Sequence, residues 1–279
     1  MKKILYSNLR ITDYYETYRM AVHMFIEVEG VNAYSPSEWI DYHGINYIEK
    51  IIKPCRWTLL HEYIYDTYHS EFSYLLDKHF PREVIDALIE VFENYEYNND
   101  ELVKLNNRYH KYCEENEYDG AGDMDKEIDN LADDYIDLFE NELMSLVVDD
   151  IFNVLFQNKT FLRNFNMDIA KLIHELKIEE YPEYLKKEGV VNRCTYLPQW
   201  MKRGVFYRDK GRCQICGKDL TGLLKPNNDK NFDHIIPLER GGSNDPTNFQ
   251  LTCESCNSKK GDRNCDTKDI VIPFWELEE

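Results

Sequence analysis

The sequence predicts a mainly α-helical chain in two parts, an all-α N-terminal domain and a small C-terminal module stapled by cysteines. Three observations carry this. Apolar residues recur at helical spacing, one stripe after another, through about residue 185. Two CxxC pairs, Cys213/Cys216 and Cys253/Cys256, lie beyond that point. The charge balance also changes between the parts. The chain holds 33 Lys+Arg against 52 Asp+Glu, a formal net charge of −19. From Pro198 onward the two signs balance, so all the excess acid precedes Pro198. From Met201 to Arg263 the balance turns locally basic. Charge blocks divided in this way point to two jobs on one chain.

The helical elements can be placed in order. Ile11, Tyr18, Val22, Phe25 and Ile26 share a face, and Gly30 follows as a stop. Ser35-Pro36-Ser37-Glu38 reads as a capping box with proline at the first helical position. Trp57, Leu60, Ile64, Tyr68, Phe72, Leu75 and Leu76 form the next stripe, and Pro81 opens a helix carrying Val84, Ile85, Leu88, Val91 and Phe92. Leu102, Leu105 and Tyr109 mark another. Ile128, Leu131, Tyr135, Phe139, Leu143, Leu146 and Val147 predict one long helix running toward Leu155. Asn166 is expected to cap a last helix bearing Ile169, Leu172, Ile173 and Leu176. The expected domains are an acidic all-α domain at residues 1–188, a linker at 189–200 and the C-terminal domain at 201–279.

Composition narrows the functional classes. With 279 residues and 43% hydrophobic content the chain can bury a core. No apolar run is long enough for a membrane span, and MKKILYSNLR lacks the apolar stretch of a signal peptide. A cytoplasmic location is the expectation. Asp119, Asp123, Asp125 and Glu127 lack the EF-hand spacing and its central glycine, so a solvated acidic loop is expected there. All of the 21 tyrosines except Tyr207 precede Pro198. A large apolar body with a polar tip suits helix packing first and a protein interface second. Cys55, Cys113, Cys194 and Cys265 are scattered and read as idle thiols.

The four paired cysteines are different. Each CxxC turn aims two sulfurs at one point, and four thiolates close the tetrahedral shell of Zn²⁺. A closed shell leaves no open position, so this zinc is expected to be structural. A module of this size has little core, and the metal takes its place.

Between and after the pairs stand Asp233-His234-Ile235-Ile236-Pro237, Gly241-Gly242, Asn248 and Cys253-x-x-Cys256-Asn257. This ordered set resembles the HNH endonucleases that carry a four-cysteine zinc site. The resemblance covers about Val205 to Arg263 and does not reach the helical region. It implies a ββα-metal finger, a hairpin and a helix around one catalytic ion. The residues fit that plan: Asn231–Leu238 alternates as a strand, Glu239–Thr247 turns, Phe249–Thr252 returns, and Cys256–Gly261 starts a helix.

By this resemblance His234 is the general base, and a neutral imidazole can take a proton from water. Asp233 and Asn257 are the protein ligands of the catalytic ion, and oxygen donors favour Mg²⁺ or Mn²⁺. Asn248 holds the loop that orients the base. The implied products are a 5′-phosphate and a 3′-hydroxyl. Lys202, Arg203, Arg208 and Arg212 before the first pair, with Lys259, Lys260 and Arg263 after Asn257, are expected phosphate contacts.

The expectation is therefore a metal-dependent endonuclease acting on DNA, with RNA left open. By analogy of layout it would be the effector of a phage-defence system, regulated by its acidic helical domain or by a protein partner docked there. Two alternatives stand beside it. One is a catalytically silent zinc module in a binding protein; the other is a sequence-specific restriction or homing nuclease.

Overall fold

In the computed structural model, residues 36–76, 79–116, 126–222, 231–262 and 264–267 are described. The helix expected around Ile11–Gly30, the cap at Ser35, the acidic positions Asp119–Asp125 and the side chain of Arg263 lie outside them. The chain divides into two units. One contains Ile64–Phe152, and the other contains residues 36–63 together with Asn153 and all that follows. The helices in order are α1 (Pro36–His43), α2 (Ile48–Ile52), α3 (Leu59–Leu76), α4 (Pro81–Asn94), α5 (Asp100–Glu115), α6 (Lys126–Glu142), α7 (Met144–Phe156) and α8 (Lys159–Glu175).

The first unit is a stack of amphipathic helices. Pro81 opens α4 because its missing N–H costs nothing in the first turn, and the Glu83 carboxylate accepts from Phe80 N at 3.2 Å. Val84, Ile85, Leu88, Val91 and Phe92 are all buried. Asn99 caps α5 by accepting from Leu102 N at 2.7 Å. The α6 stripe, Ile128, Leu131, Tyr135 and Phe139, packs on both α4 and α5. Two of the buried tyrosines pair their polar tips. Tyr109 donates to Asp86 at 2.8 Å and Tyr135 to Asn106 at 2.7 Å. The single long helix expected from Ile128 toward Leu155 is two helices, broken at Leu143. Leu143, Met144, Val147, Val148 and Ile151 remain buried, so the apolar periodicity runs on through the break and hides it.

In the second unit α1 packs on α8. Trp39 stacks on Tyr47 and meets Tyr63 edge-on, and Tyr63 packs against Phe165 of α8. Asn166 does not cap this helix. Asn158 does, accepting from Phe161 N at 2.9 Å, and Asn166 lies buried at mid-helix. After α8 comes an antiparallel hairpin, β1 (Leu185–Lys187) and β2 (Val190–Val191), turned at Gly189. Val190, Val191 and Leu197 are buried within the stretch expected to be a linker. Residues 153–188 group with the C-terminal residues, so the division of the chain does not fall at residue 188. Helix α9 (Gln199–Arg208) leads to the hairpin of β3 (Phe232–His234) and β4 (Phe249–Leu251), followed by α10 (Glu254–Lys260). Asp233 pairs with Gln250 and His234 with Phe249. The first strand is shorter than expected, because Pro237 and a 3₁₀ turn at Leu238–Arg240 end the extended run.

Candidate active site

The four thiols come together. Ligand atoms of Cys213, Cys216, Cys253 and Cys256 all lie within 4.8 Å of one another. Cys216 and Cys253 sulfurs are 3.8 Å apart. A zinc ion with Zn–S of about 2.3 Å sets tetrahedral sulfurs about 3.8 Å apart, so the cluster fits structural Zn²⁺. Burial tends to raise the Cys213 thiol, but backbone N–H groups of Cys216, Cys253 and Ile215 outweigh it and bring it down to about 7. A lowered thiol is nearer the thiolate that a metal requires. Val205, Leu220, Phe232, Phe249 and Leu251 form the small core beside the cluster.

The loop from Ile235 to Asn248, which joins β3 to β4, is almost wholly buried. Asn248 closes it: its Oδ1 accepts from Ile236 N at 2.8 Å, and its Nδ2 donates to Ile236 O at 3.0 Å and Ser243 O at 2.9 Å. The two glycines are required by the close approach. Gly241 has φ +77°, and a Cβ on Gly242 would stand 1.9 Å from the Ile236 carbonyl oxygen. Asp245 accepts from Leu59 N at 2.9 Å and from Thr247 N at 2.8 Å. Burial pushes its carboxyl up. Asn166 of α8 donates to Thr247 Oγ1 at 3.2 Å, which accounts for an amide in the middle of a buried helix face.

His234 is 2% exposed, its ring 4.2 Å from that of Phe249. Its Nε2 meets Asn244 Oδ1 at 3.2 Å, and its Nδ1 is buried without a hydrogen-bond partner among the described residues. Burial first, and then the charge of Arg193, lower its pKa to about 3. The free imidazole is therefore neutral at neutral pH. Asp233, His234 and Asn257 line one cleft of about 300 Å³, together with Lys186, Arg193 and Glu239. Glu239 is itself paired with Lys186 and Lys187 of β1. Asp233 and Asn257 bring oxygen donors into a cleft that His234 also lines. That donor set fits a hard divalent ion such as Mg²⁺ or Mn²⁺.

Two findings change the expected basic surface. Lys202, Arg208 and Lys260 are buried, so they are not surface phosphate contacts. Lys260 donates to Asp233 Oδ2 at 2.8 Å and to the His234 carbonyl at 2.5 Å. Arg208 lies over the Phe156 ring and donates to the Phe249 carbonyl and, at 2.8 Å, to Asp209. Asp209 is fully buried, ion-paired with Lys159 as well, and accepts from Leu251 N at 2.6 Å. Burial works to raise its carboxyl, and Arg208 and Lys159 overcome this and hold it below the usual range. Arg203, Arg212 and Lys259 are exposed. Sequence reasoning missed Arg193 in the cleft, and Asn244, Asp245, Asp209 and Lys159 behind it. The Asn244-Asp245 pair in a glycine-rich loop gave only a turn signal.

The comparisons with known proteins agree with this geometry. The family model described as HNH endonuclease matches residues 213–263. Over 96 residues the chain is 32% identical to the type IV methyl-directed restriction enzyme EcoKMcrA of Escherichia coli (strain K12), covering 33% of this chain and 34% of that protein. The match thus spans about a third of the relative's length. No solved structure matches. Residues 213–263, which bring the four thiols, the Asp233–His234 strand and the Asn248-closed loop into one unit, are an HNH endonuclease domain.

Proposed function

We propose that the chain is a metal-dependent endonuclease that hydrolyses DNA phosphodiester bonds. The observation that carries this reading is the cleft itself. Asp233 and His234 of β3 and Asn257 of α10 all line it, within the domain that also holds the thiol cluster. Asp233 and Asn257 would hold Mg²⁺ or Mn²⁺, which when bound supplies charge stabilisation at the scissile phosphate. His234 takes the proton of the attacking water. A phosphodiester entering the cleft brings negative charge close to the ring, which raises the proton affinity that burial and Arg193 depress. Arg193 and Lys186 face the same cleft and offer positive charge to the strand. The test is plasmid nicking by the full chain with Mg²⁺, with Mn²⁺ and with chelator. Metal-dependent conversion to nicked or linear forms with 5′-phosphate ends supports the reading. Intact plasmid under all three conditions supports the silent zinc module instead.

The relative's name favours a second, finer reading, a restriction role directed at methylated DNA within phage defence. Cleavage compared on methylated and unmethylated plasmid tests it. A preference for methylated substrate supports that role, and equal cutting removes it. For the helical unit we propose regulation of cleavage, directly or through a docked protein. Exposed acids of α6 such as Asp129, Asp133 and Asp137 would weaken DNA access. Neutralising them should speed cleavage at low salt, and an unchanged rate argues against restraint by charge.

A further inference from the structure

The general base needs one particular ring nitrogen free, and one buried amide dictates which. We propose that Asn244 is a positioning residue that selects the tautomer and ring orientation of His234. This rests on the reading of His234 as the base.

Asn244 is wholly buried. Its Nδ2 donates to two backbone carbonyls, Ile52 O at 2.8 Å and Asn192 O at 2.7 Å. A carbonyl oxygen only accepts, so both partners demand the amide nitrogen on that side. The Oδ1 is thereby turned toward its own two partners, Cys194 N at 3.2 Å and His234 Nε2 at 3.2 Å. An amide oxygen cannot donate, so Nε2 must carry the hydrogen. In a neutral imidazole the lone pair then belongs to Nδ1, which has no hydrogen-bond partner among the described residues. The Phe249 ring limits rotation about the side-chain torsion. Ring orientation and tautomer are therefore fixed together before substrate arrives.

The grip on Asn244 comes from outside the matched segment. Its backbone N–H donates to Ile51 O at 2.7 Å, so Ile51 and Ile52 at the end of α2 hold it by backbone and side chain alike. Asn192 and Cys194, just after β2, hold it from the other direction. A helix-end carbonyl 192 residues earlier in the chain, together with Asn192 O, thus orients the amide that faces the base.

Long-range ¹H–¹⁵N spectra of the full zinc-loaded chain, labelled at histidine, test this directly. The His234 signals are identified by their loss in His234→Gln. The expected pattern is a neutral ring protonated at Nε2 and bare at Nδ1. A ring protonated at Nδ1 in the wild-type chain overturns the proposal, whatever any variant does. Asn244→Ala should give mixed tautomers, with kcat down about 10–100-fold, KM within about twofold and zinc content unchanged. Wild-type kcat with a wild-type spectrum in Asn244→Ala also overturns it. The spectra need no turnover. A chain that cuts no DNA and still shows the Nε2–H ring refutes the nuclease reading while leaving the tautomer assignment standing.

Discussion

The two units are built on different interiors. In the first, the buried side chains of α4, α5 and α6 are apolar or tyrosine except for Arg82 of α4, and Thr67 is the other buried polar residue among those described there. The second holds the other buried polar side chains, including Lys159, Asn166, Arg208, Asp209, His234, Asn244, Asp245, Asn248 and Lys260. An apolar interior needs only volume and shape, so many sequences satisfy it. A buried polar network must satisfy every member, which makes it specific and costly to disturb. The HNH domain is not closed on itself: its loop, and through Asn244 the ring of His234, are held by residues of α2 and α8 that no motif includes.

The largest effect expected is at the thiol cluster. Cys213→Ser or Cys256→Ser should release one zinc per chain and unfold the module, because metal binding and folding are coupled. Metal analysis alongside thermal unfolding checks this, and zinc-free protein that still folds and cuts would remove the four-thiolate reading.

Next comes Asp209→Asn, which leaves the Lys159 and Arg208 cations buried without their shared anion. The expected destabilisation is about 3–5 kcal/mol. Leu131→Ala in the first unit, a cavity in an apolar core, should cost a similar 2–5 kcal/mol or so. The comparison is sharpened by activity per folded molecule, measured as cleavage rate corrected for folded fraction. Asp209→Asn should lower it and Leu131→Ala should not.

The pH dependence follows from His234. Its folded pKa of about 3 lies below its ordinary 6.5. As pH falls through that window the unfolded chain takes a proton that the folded chain refuses, so stability declines. Above 6.5 the ring is neutral in both states and contributes no slope. Denaturant unfolding from pH 7 to pH 4 should show a shallower decline for His234→Gln than for the wild type. Parallel curves would mean that the ring titrates normally.

The smallest effects belong to the exposed cations. Arg212→Ala and Lys259→Ala should each weaken DNA binding and reduce the salt slope by about one. The buried Arg208, removed, should act on stability instead.

Much of this fold was readable in advance, and the reasons for the failures are physical. The stripes of α4, α5 and α6 are local, so periodicity placed Val84, Leu88, Leu105 and Ile128 on buried faces. The paired cysteines, Asp233, His234, Asn248 and Asn257 stood in an ordered spacing, and the structure brings the cysteines together and puts Asp233, His234 and Asn257 on one cleft. Asn166 has the residue type of a cap, because asparagine favours caps. Its actual partner, Thr247, is 81 residues away, and local pattern carries no such information. The expectation of phosphate contacts at Arg208, Lys202 and Lys260 fails for the same reason, since all three are buried. A basic residue looks identical in sequence whether it meets water, the buried Asp209 or the half-buried Asp233.

The central claim is that His234, held neutral in this polar interior, is the base for phosphodiester hydrolysis. His234→Ala in the full chain, assayed on plasmid with Mg²⁺ or Mn²⁺, tests it most directly. The expected result is a rate loss of about 10²–10⁴-fold with zinc content and fold retained, since the imidazole is not a ligand of the thiol-bound ion. Wild-type turnover by the folded, zinc-bearing variant would contradict it.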